Sequence, residues 1–300
     1  MSITVRAPAK INLHLGVGAP REDGFHPLVT VYQAVGLCDD VTAAAAPGWT
    51  LGVTVPDWID PDAVPVTGDN SVDRAARLLA DHHGVEVHAS VSVVKSIPVA
   101  GGMAGGSADA AAALVALDRL WGLETSDDDL LSLAAELGSD VPFALVGGTA
   151  LGTGRGELVE PVRDPATWWW VVVPSEEGLS TPSVYRRFDE LNPDAPAEPE
   201  DERALLLALA TGDPVLLAGA LHNDLESAAL DLRPDLADLL ELGERSGALR
   251  GLVSGSGPTC LFLTEDADSA REVAARLSES HGVVLVTNGP VAGAHVVTYA

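Results

Sequence analysis

The sequence predicts an α+β fold in two domains, and three observations carry that expectation. Strand-like runs and helical stripes are interspersed without the strict βαβ rhythm of a doubly wound sheet. The 300 residues exceed what one hydrophobic core usually holds. Hydrophobic residues, at 47%, suffice for cores of ordinary size and are too many for general disorder. The two domains are expected at residues 1–160 and 161–300, and no internal repeat is visible.

Residues 4–17 carry alternating Val, Ile and Leu and read as a strand, broken by the Gly-, Pro- and Asp-rich stretch 16–24. Further strands are expected at 28–37, 49–55 and 85–94. Between the last two, Asn70 is placed to cap a helix over 71–82 with Ala75, Leu78 and Leu79 on its inner face. A glycine-rich loop at 100–106 runs into a helix over 107–121. Its apolar stripe is Ala110, Ala113, Leu114, Leu117 and Trp121, leaving Asp118 and Arg119 on the side expected to meet water. Ser126 opens another helix, 126–138, with acidic residues in its first turn. Ser139-Asp140-Val141-Pro142 interrupts it, and 147–156 returns toward strand.

In the second half, the apolar run 168–173 suits a buried strand, and the acidic, proline-bearing stretch 189–203 reads as a mobile loop or linker. Helices are expected at 204–211, 214–221, 233–244 and 267–279. The strands are placed at 252–253, 260–263, 283–286 and 293–299.

The formal charge of −27 argues against nucleic acid or an anionic membrane as partner. A chain this negative holds a polyphosphate only at a local site of backbone amides and a few chosen cations. No apolar run reaches the roughly 18 residues of a membrane span. With no secretory signal read at residues 1–9, and Cys38 and Cys260 matching no metal or disulfide pattern, the expected setting is cytoplasmic. His82, His83 and His88 read as a solvated loop rather than a metal site. Only two of the seventeen basic residues are lysines, Lys10 and Lys95. Lysine supplies a compact, mobile ammonium where arginine supplies a fork.

The strongest local signal is Pro98-Val99-Ala100-Gly101-Gly102-Met103-Ala104-Gly105-Gly106-Ser107-Ala108-Asp109. Its four glycines let the backbone fold closely around a ligand with N–H groups inward, and the helix behind adds unpaired amides and a positive dipole end. Together these suit a triphosphate. It is neither a Walker loop nor a dinucleotide fingerprint. Ser107 is the natural cap, or its hydroxyl reaches a phosphate or a metal ion; Asp109 points away from phosphate or toward a magnesium ion. Lys10 and Asn12 share one strand face, Lys10 being either a charge stabiliser or a surface residue. Lys95 either touches nucleotide or lies at the surface. Asp140 is either a helix cap or a catalytic base.

Taken together, 8–13, 98–111 and 254–259, in that order and spacing, resemble the GHMP kinases, which move the γ-phosphate of ATP onto a substrate hydroxyl. Ala7-Pro8-Ala9-Lys10-Ile11-Asn12-Leu13, Asp23-Gly24-Phe25-His26-Pro27-Leu28 and Gly138-Ser139-Asp140-Val141-Pro142-Phe143 resemble the members acting on a cytidine diphosphate sugar alcohol of the non-mevalonate isoprenoid precursor pathway. The resemblance implies a ribosomal-S5-like N-terminal domain, a ferredoxin-like C-terminal one, and ATP with Mg²⁺ in the cleft between them.

It implies Asp140 as the base toward a tertiary hydroxyl, with Lys10 neutralising charge there. Asn12, Phe25, His26, Thr181 and Tyr185 would bind substrate, Phe25 and Tyr185 sandwiching the cytosine that His26 hydrogen-bonds. Lys95, Pro98, Ala100, Gly101, Gly102, Met103, Ala104, Gly105, Gly106 and Ser107 would hold the nucleotide. No protein metal ligand is assigned, and the oligomeric state is left open between monomer and weak dimer. The chain departs from the pattern at Phe25, often Tyr, and at Ala104 and Ala108, often Gly and Ser.

Overall fold

Alternating side chains build the first sheet. In the computed structural model, which describes residues 1–64, 70–99, 101–175 and 177–299, the elements run β1 (Ser2–Val17), β2 (Leu28–Ala44), β3 (Trp49–Thr54), α1 (Ser71–His83), β4 (Ala89–Val94), α2 (Gly105–Trp121), α3 (Asp127–Leu137), α4 (Val141–Val146), β5 (Thr149–Thr153) and β6 (Leu158–Pro161). There follow β7 (Trp168–Val173), α5 (Thr181–Leu191), α6 (Arg203–Thr211), α7 (Pro214–Ala220), β8 (His222–Asn223), α8 (Glu226–Leu232), α9 (Asp235–Arg245), β9 (Arg250–Val253), β10 (Cys260–Thr264), α10 (Ala267–Leu277), β11 (Leu285–Gly289) and β12 (His295–Tyr299).

The larger sheet has the order β12-β1-β2-β4-β3, with β5 and β6 continuing from β2 and β8 lying parallel to β1. The smaller sheet is β11-β7-β10-β9, wholly antiparallel. With α9 and α10 packed on it, the latter is a split β-α-β-β-α-β unit, the ferredoxin-like arrangement. The chain's change of sheet lies between β6 and β7, but β8 and β12 return to complete the first sheet. No helix among the described residues is long and apolar enough to cross a membrane.

From Ala7 onward β1 is buried on both faces. Ala9, Ile11 and Leu13 enter the core beneath α2, while Lys10, Asn12 and His14 take the opposite face. β2 extends to Ala44, well past the expected end at 37. Its register to β1 shifts between Pro8 and Ala9, so Gly36 and Leu37 bulge and the strand resumes through Cys38, Asp39 and Asp40. β4 starts at Ala89 rather than 85, and α1 runs one residue past its expected end to His83, so His82 and His83 lie on the helix and not in the solvated loop in which they were grouped with His88. Asn70 does cap α1, accepting from the Val72 N–H at 2.8 Å.

The alanine-rich helix α2 is central. Ala108, Ala110, Ala111, Ala112, Ala113 and Ala116 are fully buried, because the helix lies between β1 and β2 on one side and α1, α3 and α4 on the other. A helix apolar all round belongs in such a place. α2 begins at Gly105, earlier than expected. Its N-cap is Ala104, in the left-handed region at φ 57° with no side-chain capping bond, so Ser107 lies inside the first turn instead of capping it. An alanine there costs about 1–2 kcal/mol that a glycine would avoid.

Asp118 corrects another expectation. It is buried, 2% exposed, and its Oδ1 accepts from the Thr125 N–H at 2.9 Å and the Thr125 hydroxyl at 2.5 Å. It thus holds the turn between α2 and α3. The stretch 189–203 is no free linker either. Its start completes α5, and its remainder docks on β1 and the turn after it, with Ala19 N–H donating to the Pro196 carbonyl at 2.8 Å and His14 Nε2 lying 3.1 Å from the Glu200 carbonyl. Helices α5 and α8 were not foreseen, and α4 only as the helix that Asp140 was offered as capping.

Asp118→Ala should remove the buried acceptor of both the Thr125 N–H and hydroxyl and destabilise the protein by about 2 kcal/mol. Thermal unfolding should show Tm falling by roughly 4–8 °C, with activity at 25 °C retained because the turn lies away from the cleft. An unchanged Tm would show that Asp118 bears no structural load.

Candidate active site

A cleft of about 910 Å³ opens between β1, the start of α2 and the start of α4 on one side, and α5 with the loop 254–259 on the other. Its floor is two glycine loops locked together. Ser254 Oγ donates to the Gly102 carbonyl at 3.2 Å, and the Thr259 N–H donates to the Gly101 carbonyl at 3.4 Å. The approach leaves no room for side chains. A Cβ on Gly102, whose φ is +80°, would run into the Ser254 carbonyl oxygen, and one on Gly101 into the Thr259 hydroxyl. Asn223 holds the second loop from below, its Nδ2 donating to the Val253 and Gly255 carbonyls at 2.9 and 2.8 Å.

Pro98, Gly101, Gly102, Ala104, Gly105 and Gly106 line the cleft at the amino end of α2, where first-turn N–H groups have no intrahelical acceptor. The cradle expected from sequence is therefore at the cleft. Met103 is not a lining residue: its side chain is fully buried in the core, and only its backbone serves, the carbonyl accepting from the Lys10 N–H at 3.2 Å. Ala100 lies outside the described residues.

Lys10 and Asp140 converge. Lys10 Nζ lies 3.9 Å from Asp140 Oδ2 and donates to Asn12 Oδ1 at 2.7 Å. Asn12 in turn donates from Nδ2 to the Thr30 hydroxyl at 2.8 Å, and Thr30 donates to the His14 carbonyl at 2.7 Å. This relay orients the ammonium, which is only 8% exposed. Asn12, expected to hold substrate, is thus first a holder of Lys10, although it also lines the cleft. Asp140 occupies the N-cap position of α4, yet its side chain makes no capping bond and is left for the cleft. Pro142 at the helix start needs no N–H partner, so the turn forms without recruiting the carboxylate.

Two tyrosines flank this pair. Burial, reinforced by the Asp140 carboxylate, raises the phenols of both Tyr32 and Tyr185 well above the ordinary tyrosine value. Both are therefore neutral donors at working pH and neither is a base. Tyr32 sits opposite Asn12 in the β1–β2 register, with its ring 5.7 Å from Lys10 Nζ. Sequence reasoning missed it, although its place across from the Lys10/Asn12 face is the available signal.

At the other end, Phe25 is 51% exposed to the cleft and carries the Arg155 guanidinium 4.9 Å over its ring. His26 Nε2 lies 2.8 Å from Asp189 Oδ1, and its ring is 4.9 Å from that of Tyr185. Phe25 and Tyr185 both line the cleft, but Tyr185 packs on His26 and not on Phe25. Thr181 Oγ1 lies 2.8 Å from Ser256 Oγ, tying α5 to the glycine loop. Arg155 and Arg186 also line this end and were missed; the scarcity of cations in an acidic chain is the only signal for them.

Lys95 corrects both readings offered for it. It is neither at the surface nor a cleft residue: 4% exposed, it donates to Asp39 and Asp109 in a buried cluster beneath α2. Asp109 accordingly points away from the phosphate loop.

Comparisons with known proteins identify the family. Residues 70–148 match the GHMP kinases N terminal domain and 205–283 the GHMP kinases C terminal family. A Nocardioides protein called 4-diphosphocytidyl-2-C-methyl-D-erythritol kinase is 73% identical over 99% of this chain and 100% of its own length. One of the same name from Thermobifida fusca is 54% identical, over 99% of this chain and 98% of its own. A crystal structure of 4-(cytidine 5'-diphospho)-2C-methyl-D-erythritol kinase superposes with a TM-score of 0.75 at 33% identity, covering 96% of this chain and 98% of that one. The chain belongs to the GHMP kinases, in the 4-diphosphocytidyl-2-C-methyl-D-erythritol kinase family.

Proposed function

We infer that this chain transfers the γ-phosphate of ATP to the 2-hydroxyl of 4-diphosphocytidyl-2-C-methyl-D-erythritol, a step of the non-mevalonate isoprenoid precursor pathway. The observation that carries the reading is the approach of Lys10 and Asp140 to 3.9 Å beside a glycine cradle, in a chain whose full-length relatives bear that enzyme's name. Mg²⁺ enters with the nucleotide as MgATP, coordinated by phosphate oxygens and so part of the substrate.

Phosphoryl transfer asks a protein chiefly for positioning and charge stabilisation. The amides of 101–106 would hold the triphosphate at the positive end of α2. Asp140 would accept the hydrogen bond, and then the proton, of the attacking tertiary hydroxyl. Lys10 would neutralise charge growing between that oxygen and the transferring phosphoryl group, held in place by Asn12 and Thr30. Lysine suits this place because a point charge can follow the moving oxygen, whereas a guanidinium fork is fixed in plane. Phe25 and Tyr185 would present apolar faces to the cytosine, and His26, steadied by Asp189, would read its edge.

ATP-dependent phosphorylation should proceed with the cytidine substrate and not with mevalonate or homoserine. Asp140→Asn should lower kcat by about 100-fold or more while leaving the KM for ATP within about twofold, as expected for loss of a general base. Lys10→Met should lower kcat by a similar or larger factor. Turnover of another alcohol, or an active Asp140→Asn, would overturn the assignment.

Phe25→Ala should instead raise the KM for the cytidine substrate by about tenfold, through lost stacking on the base, and spare the KM for ATP. Steady-state kinetics with each substrate varied in turn separates the two effects. An equal change in both KM values would place Phe25 outside the cytosine site.

A further inference from the structure

Beneath the cradle lies a charged cluster that the transfer chemistry does not use. Lys95, just past β4, donates to Asp39 Oδ2 at 2.5 Å and to Asp109 Oδ2 at 2.6 Å. The two carboxylates are treated differently by their surroundings. Asp39 on β2 also accepts from the N–H groups of Ser96 and Ile97 at 2.5 and 2.9 Å, so both its oxygens are satisfied. Asp109 on α2 keeps Oδ1 buried with no hydrogen-bond partner among the described residues. The cluster touches the cradle: a Cβ on Gly105, the first residue of α2, would stand 3.4 Å from Lys95 Nζ.

One buried ammonium balances one buried carboxylate, and Asp39 is the better solvated of the two by its amide donors. The second carboxylate is surplus, and a buried, half-satisfied charge is costly. Burial pushes the Asp109 carboxyl up to about 7 against the pull of Lys95, with Asp39 adding to the rise. Burial alone would lower the Lys95 ammonium, but Asp109 and Asp39 together overcome it, so that cation persists. Other charged groups around α2 are engaged elsewhere. Asp73 on α1 accepts from Trp49 Nε1, Asp118 on α2 holds Thr125, and Lys10 on β1 turns to Asn12 and the cleft.

We propose that Asp109 is a positioning residue for the nucleotide, acting through Lys95 and the first turn of α2 to set the charge beneath the triphosphate. With Asp109 neutral, the three groups sum to zero and the amide cradle acts at full strength. With Asp109 charged, they sum to one negative charge directly behind the bound polyanion. At a separation of about 10 Å and a protein-like dielectric, one charge on another changes affinity by about tenfold. By linkage, ATP binding then draws a proton onto Asp109.

This inference rests on the kinase reading above, and the test separates the two. The KM for ATP is followed from pH 6 to 8.5 in the wild type and in Asp109→Asn, which keeps an acceptor for Lys95 but cannot ionise. Relative to the variant, the wild-type KM for ATP should rise by about tenfold across this range. The KM for the alcohol substrate and kcat should keep a constant ratio between the two proteins. Proton exchange of the wild type is measured alongside, by calorimetric titration with a non-hydrolysable ATP analogue at pH 8 in two buffers of different ionisation heat. Uptake of about 0.4 proton, the value that a tenfold coupling gives at pH 8 for a carboxyl near 7, supports the proposal, and it needs no folded variant. Parallel pH profiles, or no uptake, overturn it while leaving the kinase reading intact; absence of any wild-type turnover would sink the kinase reading instead.

Discussion

The clasp between the two glycine loops is the constraint on which the rest depends. A chain of net charge −27 has to hold polyanions, and it cannot do so by ringing them with cations, of which it has few. Backbone amides are the remaining source of positive potential, and they must be brought together and kept dry. The bonds from Ser254 to Gly102 and from Thr259 to Gly101 do this by joining a loop of the second sheet's unit to the loop that starts α2. The same contact closes the floor of the cleft and fixes where α2 begins. It also explains why glycine stands at 101 and 102: any side chain there would push the two loops apart.

The two lysines illustrate how burial decides what a cation does. Each is almost inaccessible, yet Lys10 faces a cleft and Lys95 faces the back of the same cradle. Lys10 has a neutral amide as its close partner and its carboxylate at 3.9 Å, so much of its charge is left for an incoming group. Lys95 has two carboxylates within 2.6 Å, so none of its charge is left over. Placing the free cation on a strand that is buried on both faces restricts its motion, and the Asn12–Thr30 relay completes that restriction. Prepaid ordering of this kind is what electrostatic catalysis requires.

Much of this was legible in the sequence where local rules and tertiary needs agree. Strand alternation located β1 and the shared face of Lys10 and Asn12, Asn70 marked the start of α1, and the apolar run at 168–173 became β7. Misreadings arose where tertiary contacts override the local pattern. β2 continues through polar Asp39 and Asp40 because Asp39 has donors waiting below α2, a fact invisible along the strand. Asp118 looked solvated because it lies off the apolar stripe, but the chain folds back at Thr125 to bury it. Ser107 looked like a cap because serine often is one, whereas the turn ahead of it is set by the clasp and places Ala104 there in a left-handed conformation. The stretch 189–203 was read by composition as mobile, yet Asp189 secures His26 and Glu200 meets His14.

The two ends of the cleft are built differently. Lys10 and the cradle belong to β1 and α2, elements packed on both sides, and Asp140 stands on a short turn pressed against them. The aromatic end of the cleft is made otherwise, by the turn bearing Phe25 and by α5, which reaches that turn through His26–Asp189 and is tied to the second glycine loop through Thr181–Ser256. A few side-chain bonds can be rearranged at small cost, whereas the packing of α2 between sheet and helices cannot. On the proposed reading, such a division would let one phosphoryl-transfer frame serve different alcohols, since altering the turn at Phe25 or the face of α5 would leave the Lys10/Asp140 pair in place. Here Arg155 over the exposed Phe25 ring shows the same logic within a single position, a cation bracing an aromatic platform that the turn alone would leave loose.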